Sequence, residues 1–260
     1  MLLTIDAGNT RTKWAIFNRD GEITQLGACM NKELATADLN PQTLGYDCVV
    51  ISNVAGKVHA SMLEKILAPY YLPVTWIKSG DSACNVINHY GTPDTLGTDR
   101  WAALIAAWHI KHAPCVVVNA GTAITVDALH CQAENHQQGE FIGGMILPGL
   151  SLMQTSLGLG TAQLPTPDTA AKFNENTHID IFARSTAQAI DAGALCAITG
   201  AIAQMANALE AKCNQTPFII ISGGDARVIQ SYLTDIVTNP TVIVDNLVLK
   251  GLYLLERSEQ

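Results

Sequence analysis

A carboxylate, a glycine turn and a lysine follow one another near the start of the chain. Asp6 follows a short apolar run, and the segment Asp6–Lys13 reads DAGNTRTK. Glycine lets a backbone approach phosphate oxygens closely, and the Thr10 hydroxyl can donate a hydrogen bond to them. Lys13 adds a positive charge, and Asp6 could hold Mg²⁺ through water. The segment predicts a phosphate-binding β-hairpin, although an ordinary Gly-Asn hairpin has the same pattern.

A related segment occurs near the middle of the chain, where residues 119–127 read NAGTAITVD. It has the same plan of a buried strand, a turn with glycine and a hydroxyl, and a second strand rich in β-branched residues. Gly121 and Thr122 occupy this turn. Two copies favour a binding function and predict a duplicated architecture, in which two related halves face each other across a nucleotide cleft.

An acid and a base lie together at the predicted start of a helix, in the segment Tyr90–Arg100. A helix N-terminus stabilises negative charge, so we expect Asp99 to be ionised at neutral pH and to be a weak base. A phosphoryl acceptor mainly needs orientation and a group that takes its proton late in the reaction. Arg100 offers a planar fork for a carboxylate or a phosphate. A helix N-cap with a surface ion pair would use the same residues.

A third candidate follows the predicted strand at 218–221. The sequence there is Ser222-Gly223-Gly224. Glycines leave the backbone uncovered, so the base or ribose of a nucleotide could lie against it. A plain strand-to-helix turn fits the same residues.

Composition and charge limit the classes of function. The chain has 260 residues, of which 48% are hydrophobic and 15% charged, with a formal net charge of −8. This favours well-buried sheets and opposes attraction to nucleic acid or to an anionic membrane. The first residues form no basic leader, and the apolar segment 185–209 contains polar side chains. We therefore expect a cytoplasmic protein with reduced cysteines, no membrane segment and no nucleic-acid partner.

The elements that must position these residues alternate between strands and helices. Strands are predicted at 2–6, 12–18, 48–51, 74–77, 115–118, 122–126, 141–149, 218–221 and 242–244. Helices are predicted at 57–67 and 99–111, as two stretches between 182 and 212, after residue 225, and at 245–257. The pattern predicts an α/β protein with two domains, 1–113 and 114–260, that have mixed sheets flanked by helices. We expect the last helix to pack back on the first domain.

In this order, the motifs resemble those of the type III pantothenate kinases, members of the superfamily that includes sugar kinases, actin and Hsp70. The likeness spans essentially the whole chain. It is carried by Asp6-x-Gly8-Asn9-Thr10-x-x-Lys13, Tyr90 with Gly97-x-Asp99-Arg100, Gly121-Thr122, Gly143-Gly144 with Pro148-Gly149, Thr186-x-x-Ala189-Ile190-x-x-Gly193 and Ser222-Gly223-Gly224. The resemblance implies duplicated actin-like (ribonuclease H-like) domains. It also implies ATP-dependent phosphorylation of pantothenate to 4′-phosphopantothenate, the first step of coenzyme A biosynthesis.

The resemblance also implies roles for individual residues. Asp99 would be the general base. The set that binds ATP would be Asp6, Ala7, Gly8, Asn9, Thr10, Arg11, Thr12, Lys13, Gly121, Thr122, Gly223 and Gly224. The set that binds pantothenate would be Tyr90, Gly97, Thr98, Asp99, Arg100 and Thr186. In the family, the threonine that matches Thr186 reaches the pocket of the neighbouring subunit, so a homodimer is implied.

Asn119 departs from the family pattern. Many relatives carry an aspartate there, which is a ligand of the activating monovalent cation, K⁺ or NH₄⁺. An amide keeps the carbonyl oxygen but loses the charge, so cation binding should weaken. The implied cofactors are thus ATP and Mg²⁺, with a monovalent cation bound only weakly, if at all, at Asn119.

Two other functions stay open at this point. Some proteins of the family are described as accessory factors for gene regulation, which would make the chain a nucleotide-responsive binding protein. The presence of Asp6, Lys13 and Asp99 argues for chemistry, and the acidic charge argues against direct DNA binding. The other alternative is a kinase of the same fold that acts on another hydroxyl acceptor, because fold does not fix substrate.

Overall fold

The computed structural model describes residues 1–132, 135–160 and 180–258. The chain forms two compact units. The first comprises Met1–Ile110 and Asn246–Gln260, and the second comprises Lys111–Asp245. Each unit has its own apolar core.

The first unit is built on a five-stranded mixed sheet in the order β3-β2-β1-β4-β5. Its strands are β1 (Leu2–Ala7), β2 (Arg11–Phe17), β3 (Ile23–Met30), β4 (Cys48–Asn53) and β5 (Val74–Trp76). The central strand β1 pairs antiparallel with β2 and parallel with β4. Leu3 and Ile5 of this strand are fully buried. A small hairpin, β6 (Ser82–Ala83) with β7 (Val86–Asn88), lies in the connection after β5.

The second unit repeats the same strand arrangement. Its strands are β8 (Cys115–Ala120), β9 (Ala123–Gln132), β10 (Asn135–Pro148), β11 (Phe218–Gly223) and β12 (Thr241–Ile243). They follow the order β12-β11-β8-β9-β10. The strand β8 is antiparallel to β9 and parallel to β11, as β1 is to β2 and β4. The predicted duplication of mixed sheets is therefore confirmed.

Helices flank both sheets. They are α1 (Pro41–Leu44), α2 (Lys57–Leu67), α3 (Thr98–Lys111), α4 (Leu150–Gly160), α5 (Thr186–Cys213), α6 (Ala226–Leu233) and α7 (Leu247–Ser258). The last helix, α7, packs on β1, β2 and β4 of the first unit. Its Gly251 lies so close to α3 that an added Cβ would stand 1.8 Å from the Ala102 carbonyl oxygen. A side chain there would push the two helices apart.

The structure differs from the sequence prediction in several elements, since α1, α4, β3 and the β6–β7 hairpin were not predicted and one helix replaces two predicted ones. The segment 182–212 was expected to hold two helical stretches, and this is wrong, because α5 is one helix of 28 residues. Its Gly193 and Gly200 face solvent, and a glycine inside a helix costs about 1 kcal/mol without ending it. The edge strand β3 was not predicted. Half of its residues are exposed and none is fully buried, its sequence does not alternate in polarity, and Gly27 lies directly under the ring of Trp14.

The helix α5 is also long and apolar enough to cross a membrane, judged by length and composition alone. Half of its most apolar window is buried within the protein. Leu195, Ile198 and Ile202 on that face belong to the apolar core of the second unit. This burial is what a core helix requires, and the expectation of no membrane segment stays a prediction.

Candidate active site

Asp6 lies one residue before the end of β1, at the centre of the first sheet. In the strand register it stands opposite Lys13 on β2 and beside Ser52 on β4. Its Oδ1 atom is buried and has no hydrogen-bond partner among the residues that the structure describes. The pKa of Asp6 is raised to about 7, mainly by burial and also by the negative charge of Asp99, while the positive charge of Lys13 opposes the rise. The site thus holds a buried acceptor atom to which no described residue donates a hydrogen bond.

This orphaned oxygen suits a hydrated Mg²⁺. Magnesium prefers oxygen ligands and keeps several waters, so one carboxylate with substrate phosphates is a common arrangement. Among the described residues, no cluster of three or more His, Cys, Asp or Glu side chains could hold a metal directly. A magnesium ion at Asp6 would therefore need phosphate oxygens and water as its other ligands.

The residues of the first turn differ in their exposure. Asn9 and Arg11 are exposed, and Gly8, Thr10 and Lys13 are partly exposed. The side chains of Ala7 and Thr12 are fully buried. Two of the residues predicted to bind ATP therefore direct their side chains into the protein, and only their backbone could meet a ligand.

Asp99 is the second residue of α3, and a side-chain contact ties this helix to the sheet. The hydroxyls of Thr98 and Ser52 lie 2.8 Å apart. Since Ser52 is the register neighbour of Asp6, this contact anchors the start of α3 at the end of the central strands. The Oδ1 atom of Asp99 accepts a hydrogen bond from the Arg100 N–H at 2.8 Å.

The expectation that Asp99 is a weak base needs correction. Burial raises the pKa of Asp99, and the Arg100 N–H and the Arg100 charge only partly oppose this. Loss of solvation therefore outweighs the helix N-terminus that motivated the prediction. A carboxylate with a raised pKa is a better proton acceptor than an exposed one.

Arg100 and Tyr90 are close in the structure. The guanidinium carbon of Arg100 lies 5.7 Å from the centroid of the Tyr90 ring, which is cation–π distance. Arg100 is buried, whereas Tyr90 is partly exposed. Asn88 shapes the loop that carries Tyr90, because its Oδ1 accepts from the Tyr90 N–H at 3.0 Å while its Nδ2 donates to the carbonyls of Gly80 and Pro93.

Gly97 leaves room for the carboxylate of Asp99. A Cβ added at Gly97 would stand 2.7 Å from the Asp99 Oδ1 atom, closer than such atoms approach. A side chain at this position would displace the carboxylate. The glycine at position 97 thus has a steric role that is local to Asp99.

The glycines of the second unit are packed against backbone. A Cβ at Gly149 would stand 2.2 Å from the carbonyl oxygen of Gly121, and one at Gly223 would stand 2.2 Å from that of Ala120. Gly223 also has a φ of +106°, which favours glycine. Gly121, Thr122 and Gly224 are exposed. At Gly121 and Gly224, the backbone is therefore exposed and no side chain of the residue itself covers it.

Asn119 and Thr186 are the two remaining predicted site residues of the second unit. Asn119 is partly exposed and lies in register between Thr125 and Ser222. Thr186 is exposed at the start of α5, where the Ser185 hydroxyl caps the helix by accepting from the Gln188 N–H at 3.3 Å.

Several residues at the site were not found from the sequence. They are Ser52, Asn31, His59 and Asn88. Each contacts a predicted site residue but comes from a different strand, helix or loop. The turn-forming character of Asn was the only local signal, and it does not indicate which backbone groups the side chain will bond.

Solved structures with a similar fold cover almost the whole chain. A Campylobacter jejuni protein assigned to the Baf family of transcriptional activators has a TM-score of 0.58 and 19% identity, and the match covers 99% of this chain and 98% of that one. The inorganic polyphosphate/ATP-glucomannokinase of Arthrobacter sp. has a TM-score of 0.50 and 14% identity, with 100% and 99% covered. At these identities the likeness concerns the fold alone.

Sequence relatives identify the family. The family model of the type III pantothenate kinases matches residues 2–208. A type III pantothenate kinase of Methylobacillus flagellatus is 40% identical over 258 residues, which cover 98% of both chains. One from Aromatoleum aromaticum is 39% identical over 264 residues, which cover 100% of this chain and 99% of the relative. The chain therefore belongs to the type III pantothenate kinase family.

Proposed function

We propose that this protein transfers the γ-phosphoryl group of ATP to the primary hydroxyl of pantothenate, giving 4′-phosphopantothenate and ADP. This would be the first step of coenzyme A biosynthesis, carried out in the cytoplasm. The observation that carries the proposal is a pair of desolvated carboxylates in one unit, Asp6 and Asp99, close enough for the charge of Asp99 to raise the pKa of Asp6. Family membership supplies the two substrates.

The first carboxylate belongs to the phosphate site. Backbone N–H groups of the turn after β1, with the Thr10 hydroxyl, donate to phosphate oxygens, and Lys13 provides positive charge. Asp6 would hold Mg²⁺ through its Oδ1 atom, which has no partner among the described residues, directly or through water. When bound, magnesium neutralises charge on the β- and γ-phosphate oxygens. In the second unit, we assign ATP contacts to Gly121, Thr122, Gly223 and Gly224.

The second carboxylate belongs to the acceptor. Asp99 accepts a hydrogen bond from the primary hydroxyl of pantothenate and so orients its oxygen toward the γ-phosphorus. As the new P–O bond forms, the bond to the β–γ bridging oxygen breaks, and the hydroxyl proton passes to the Asp99 carboxylate. The buried location of Asp99 favours this transfer, because it raises the pKa of the group. Arg100 and Tyr90 orient the carboxylate end and the chain of pantothenate.

A homodimer is part of the proposal. The exposed side of α5 carries the small residues Ala189, Gly193, Ala197 and Gly200 at helical spacing. Small side chains allow two helices to approach closely. Thr186 at the start of α5 would then contribute to the pantothenate pocket of the neighbouring subunit. Asn119 lacks the charge of an aspartate, so we propose activity without a strong requirement for K⁺ or NH₄⁺.

The test is ADP release by the purified protein with ATP and Mg²⁺. Pantothenate is compared with no acceptor and with a panel of sugars, in potassium and in sodium buffer. We expect ADP release that requires pantothenate. Release with a sugar instead would identify a kinase with another acceptor, and no release with any acceptor would favour the regulatory alternative.

Asp99→Asn tests the proposed base, and Asp94→Asn is its matched control. Asp94 lies in the same loop, is exposed and is five residues upstream. We expect Asp99→Asn to remove most turnover while the protein stays folded, and Asp94→Asn to retain turnover. Near-normal turnover of Asp99→Asn would rule out the assigned role.

A further inference from the structure

We propose that Asn31, Thr12 and His59 form a hydrogen-bonded support that fixes the phosphate-binding turn Gly8–Thr10, and that they are positioning residues for the phosphates of ATP. The inference rests on the proposed function, because it takes this turn as the nucleotide site. It gives Thr12 a supporting role in place of a direct contact with ATP.

The support begins with Asn31, which follows β3 directly. Its backbone N–H donates to the Thr10 carbonyl at 3.0 Å, and its Nδ2 donates to the Gly8 carbonyl at 2.8 Å. One residue next to the neighbouring strand therefore bonds both ends of the turn. Within the turn itself, the Gly8 N–H donates to the Arg11 carbonyl at 3.2 Å.

The hydrogen bonds that join Asn31, Thr12 and His59 each have a defined donor and acceptor. Since the Asn31 Nδ2 donates to Gly8, its Oδ1 is the atom that faces Thr12, and an amide oxygen only accepts. The Thr12 hydroxyl gives its one proton to this Oδ1 at 2.9 Å. It must then accept from the Nε2–H of His59, which lies 2.8 Å away. His59 thus donates to Thr12, Thr12 donates to Asn31, and Asn31 donates to the Gly8 carbonyl.

The support is buried and would be costly to interrupt. Thr12 is fully buried and His59 is 7% exposed. Burial lowers the pKa of His59 and so favours the neutral ring, and the hydrogen bond to Thr12 requires its one proton on Nε2. A buried donor or acceptor that loses its partner pays the full cost of desolvation. Removal of the Thr12 hydroxyl would therefore leave both Asn31 and His59 with an unsatisfied atom.

The support also determines where the turn directs its donors. In a trans peptide the C=O and the next N–H point in opposite directions. Because the Gly8 carbonyl points to Asn31, the Asn9 N–H points away from Asn31. Asn9 itself is exposed. The hydrogen bond from Asn31 thus fixes the direction of one backbone donor, which faces away from the support and can bond a phosphate there.

The experiment compares Thr12→Val with Thr12→Ser. Valine keeps the volume and removes the hydroxyl, whereas serine keeps the hydroxyl. The readouts are calorimetric affinity for a non-hydrolysable ATP analogue with Mg²⁺, and the KM values for ATP and for pantothenate. We expect Thr12→Val to weaken analogue binding and raise KM for ATP about fivefold to tenfold, at unchanged KM for pantothenate. Thr12→Ser should stay within about twofold of wild type.

Thr4→Val is the matched control for stability. Thr4 is also fully buried in the first sheet, and its hydroxyl donates to the Ala15 carbonyl at 3.4 Å, away from the turn. We expect it to lower the unfolding temperature without a change in analogue affinity. Equal affinities of Thr12→Val and wild type would overturn the proposal, even if Thr12→Val is less stable.

A second pair of variants keeps the test decisive if Thr12→Val does not fold. Glutamine at position 59 can place an amide N–H near the position of Nε2, whereas phenylalanine cannot donate. His59→Gln should therefore bind the analogue within about twofold of wild type, and His59→Phe about fivefold more weakly. Equal binding by both variants would contradict the proposal. A wild-type protein that binds the analogue without phosphorylating pantothenate would refute the proposed function only, and one that binds no nucleotide would refute both.

Discussion

The turns after the two central strands share a backbone plan and differ in charge. In the first unit, Asp6 lies in register between Lys13 and a serine of the parallel strand. In the second unit, Asn119 lies between Thr125 and a serine, again on the parallel strand. A carboxylate with a facing cation in one copy thus corresponds to an amide with a facing hydroxyl in the other.

The two turns are also held in different ways. In the first, the side chain of Asn31 bonds the Gly8 carbonyl, and a Cβ at Gly8 would meet the Arg11 carbonyl oxygen only at 3.3 Å. In the second, the backbone of Gly149 donates to the Thr122 carbonyl at 2.8 Å, and no Cβ fits at Gly149. One backbone scaffold thus carries a charged pair in one copy and a neutral turn packed against backbone in the other.

The largest effect should follow from making the first turn resemble the second. Asp6→Asn removes the charge that would hold magnesium at the phosphates, so we expect turnover to fall about a thousandfold. Pantothenate-dependent ADP release measures this. Asn119→Asp is the reciprocal control and should retain turnover. Turnover of Asp6→Asn within tenfold of wild type would show that the charge difference between the two turns has no catalytic meaning.

Because Gly149 is packed more tightly than Gly8, we expect alanine at the two positions to destabilise the protein to different extents. Gly149→Ala forces a Cβ against backbone atoms, so we expect the free energy of unfolding to fall by about 3 kcal/mol. Gly8→Ala meets far less crowding, and its loss should be below about 1 kcal/mol. Urea denaturation of both variants provides the comparison. Equal losses would mean that the two turns are packed with similar tolerance.

The buried charge of Asp6 predicts a dependence of stability on pH. Its pKa is raised from 3.8 to about 7 in the folded protein, so the folded state holds a proton that the unfolded chain releases. Stability from this group is therefore complete below the lower value and is lost as pH rises toward the higher one. Asp6→Asn removes the loss and should be about 2 kcal/mol more stable than wild type at pH 8, with little difference near pH 4. Thermal unfolding across this range measures it, and a constant difference would refute it.

The smallest effect concerns the monovalent cation. Asn119→Asp restores a charge in the second turn, so we expect potassium to stimulate this variant a few-fold over sodium, whereas wild type shows little preference. Parallel assays in the two buffers suffice. Identical activity of both proteins in both buffers would show that position 119 is not a cation site.

Much of the site could be predicted because its signals are local. Asp6, Gly8 and Lys13 follow one another around one turn, and Asp99 marks the start of a helix, so spacing alone placed them on the correct elements. The duplication was visible for the same reason. The direction of the pKa shift of Asp99 was predicted wrongly, because it depends on burial, which the neighbouring sequence does not report.

The supporting residues could not be predicted. His59 is 47 residues from Thr12 along the chain, and Ser52 is 46 residues from Thr98. Such contacts exist only once strands and helices have packed, and the sequence pattern of His59 is that of an ordinary residue on the buried face of α2. The contrast between Gly8 and Gly149 likewise depends on which carbonyl lies nearby.

The most direct measurement of the central claim is the identity of the phosphorylated product. The wild-type protein is incubated with ATP, Mg²⁺ and pantothenate, and the mixture is examined by mass spectrometry and by ³¹P NMR. We predict one phosphate monoester of pantothenate, carried on its primary hydroxyl and formed in equal amount to ADP. Inorganic phosphate with unchanged pantothenate, or no consumption of ATP by the folded protein, would contradict the account.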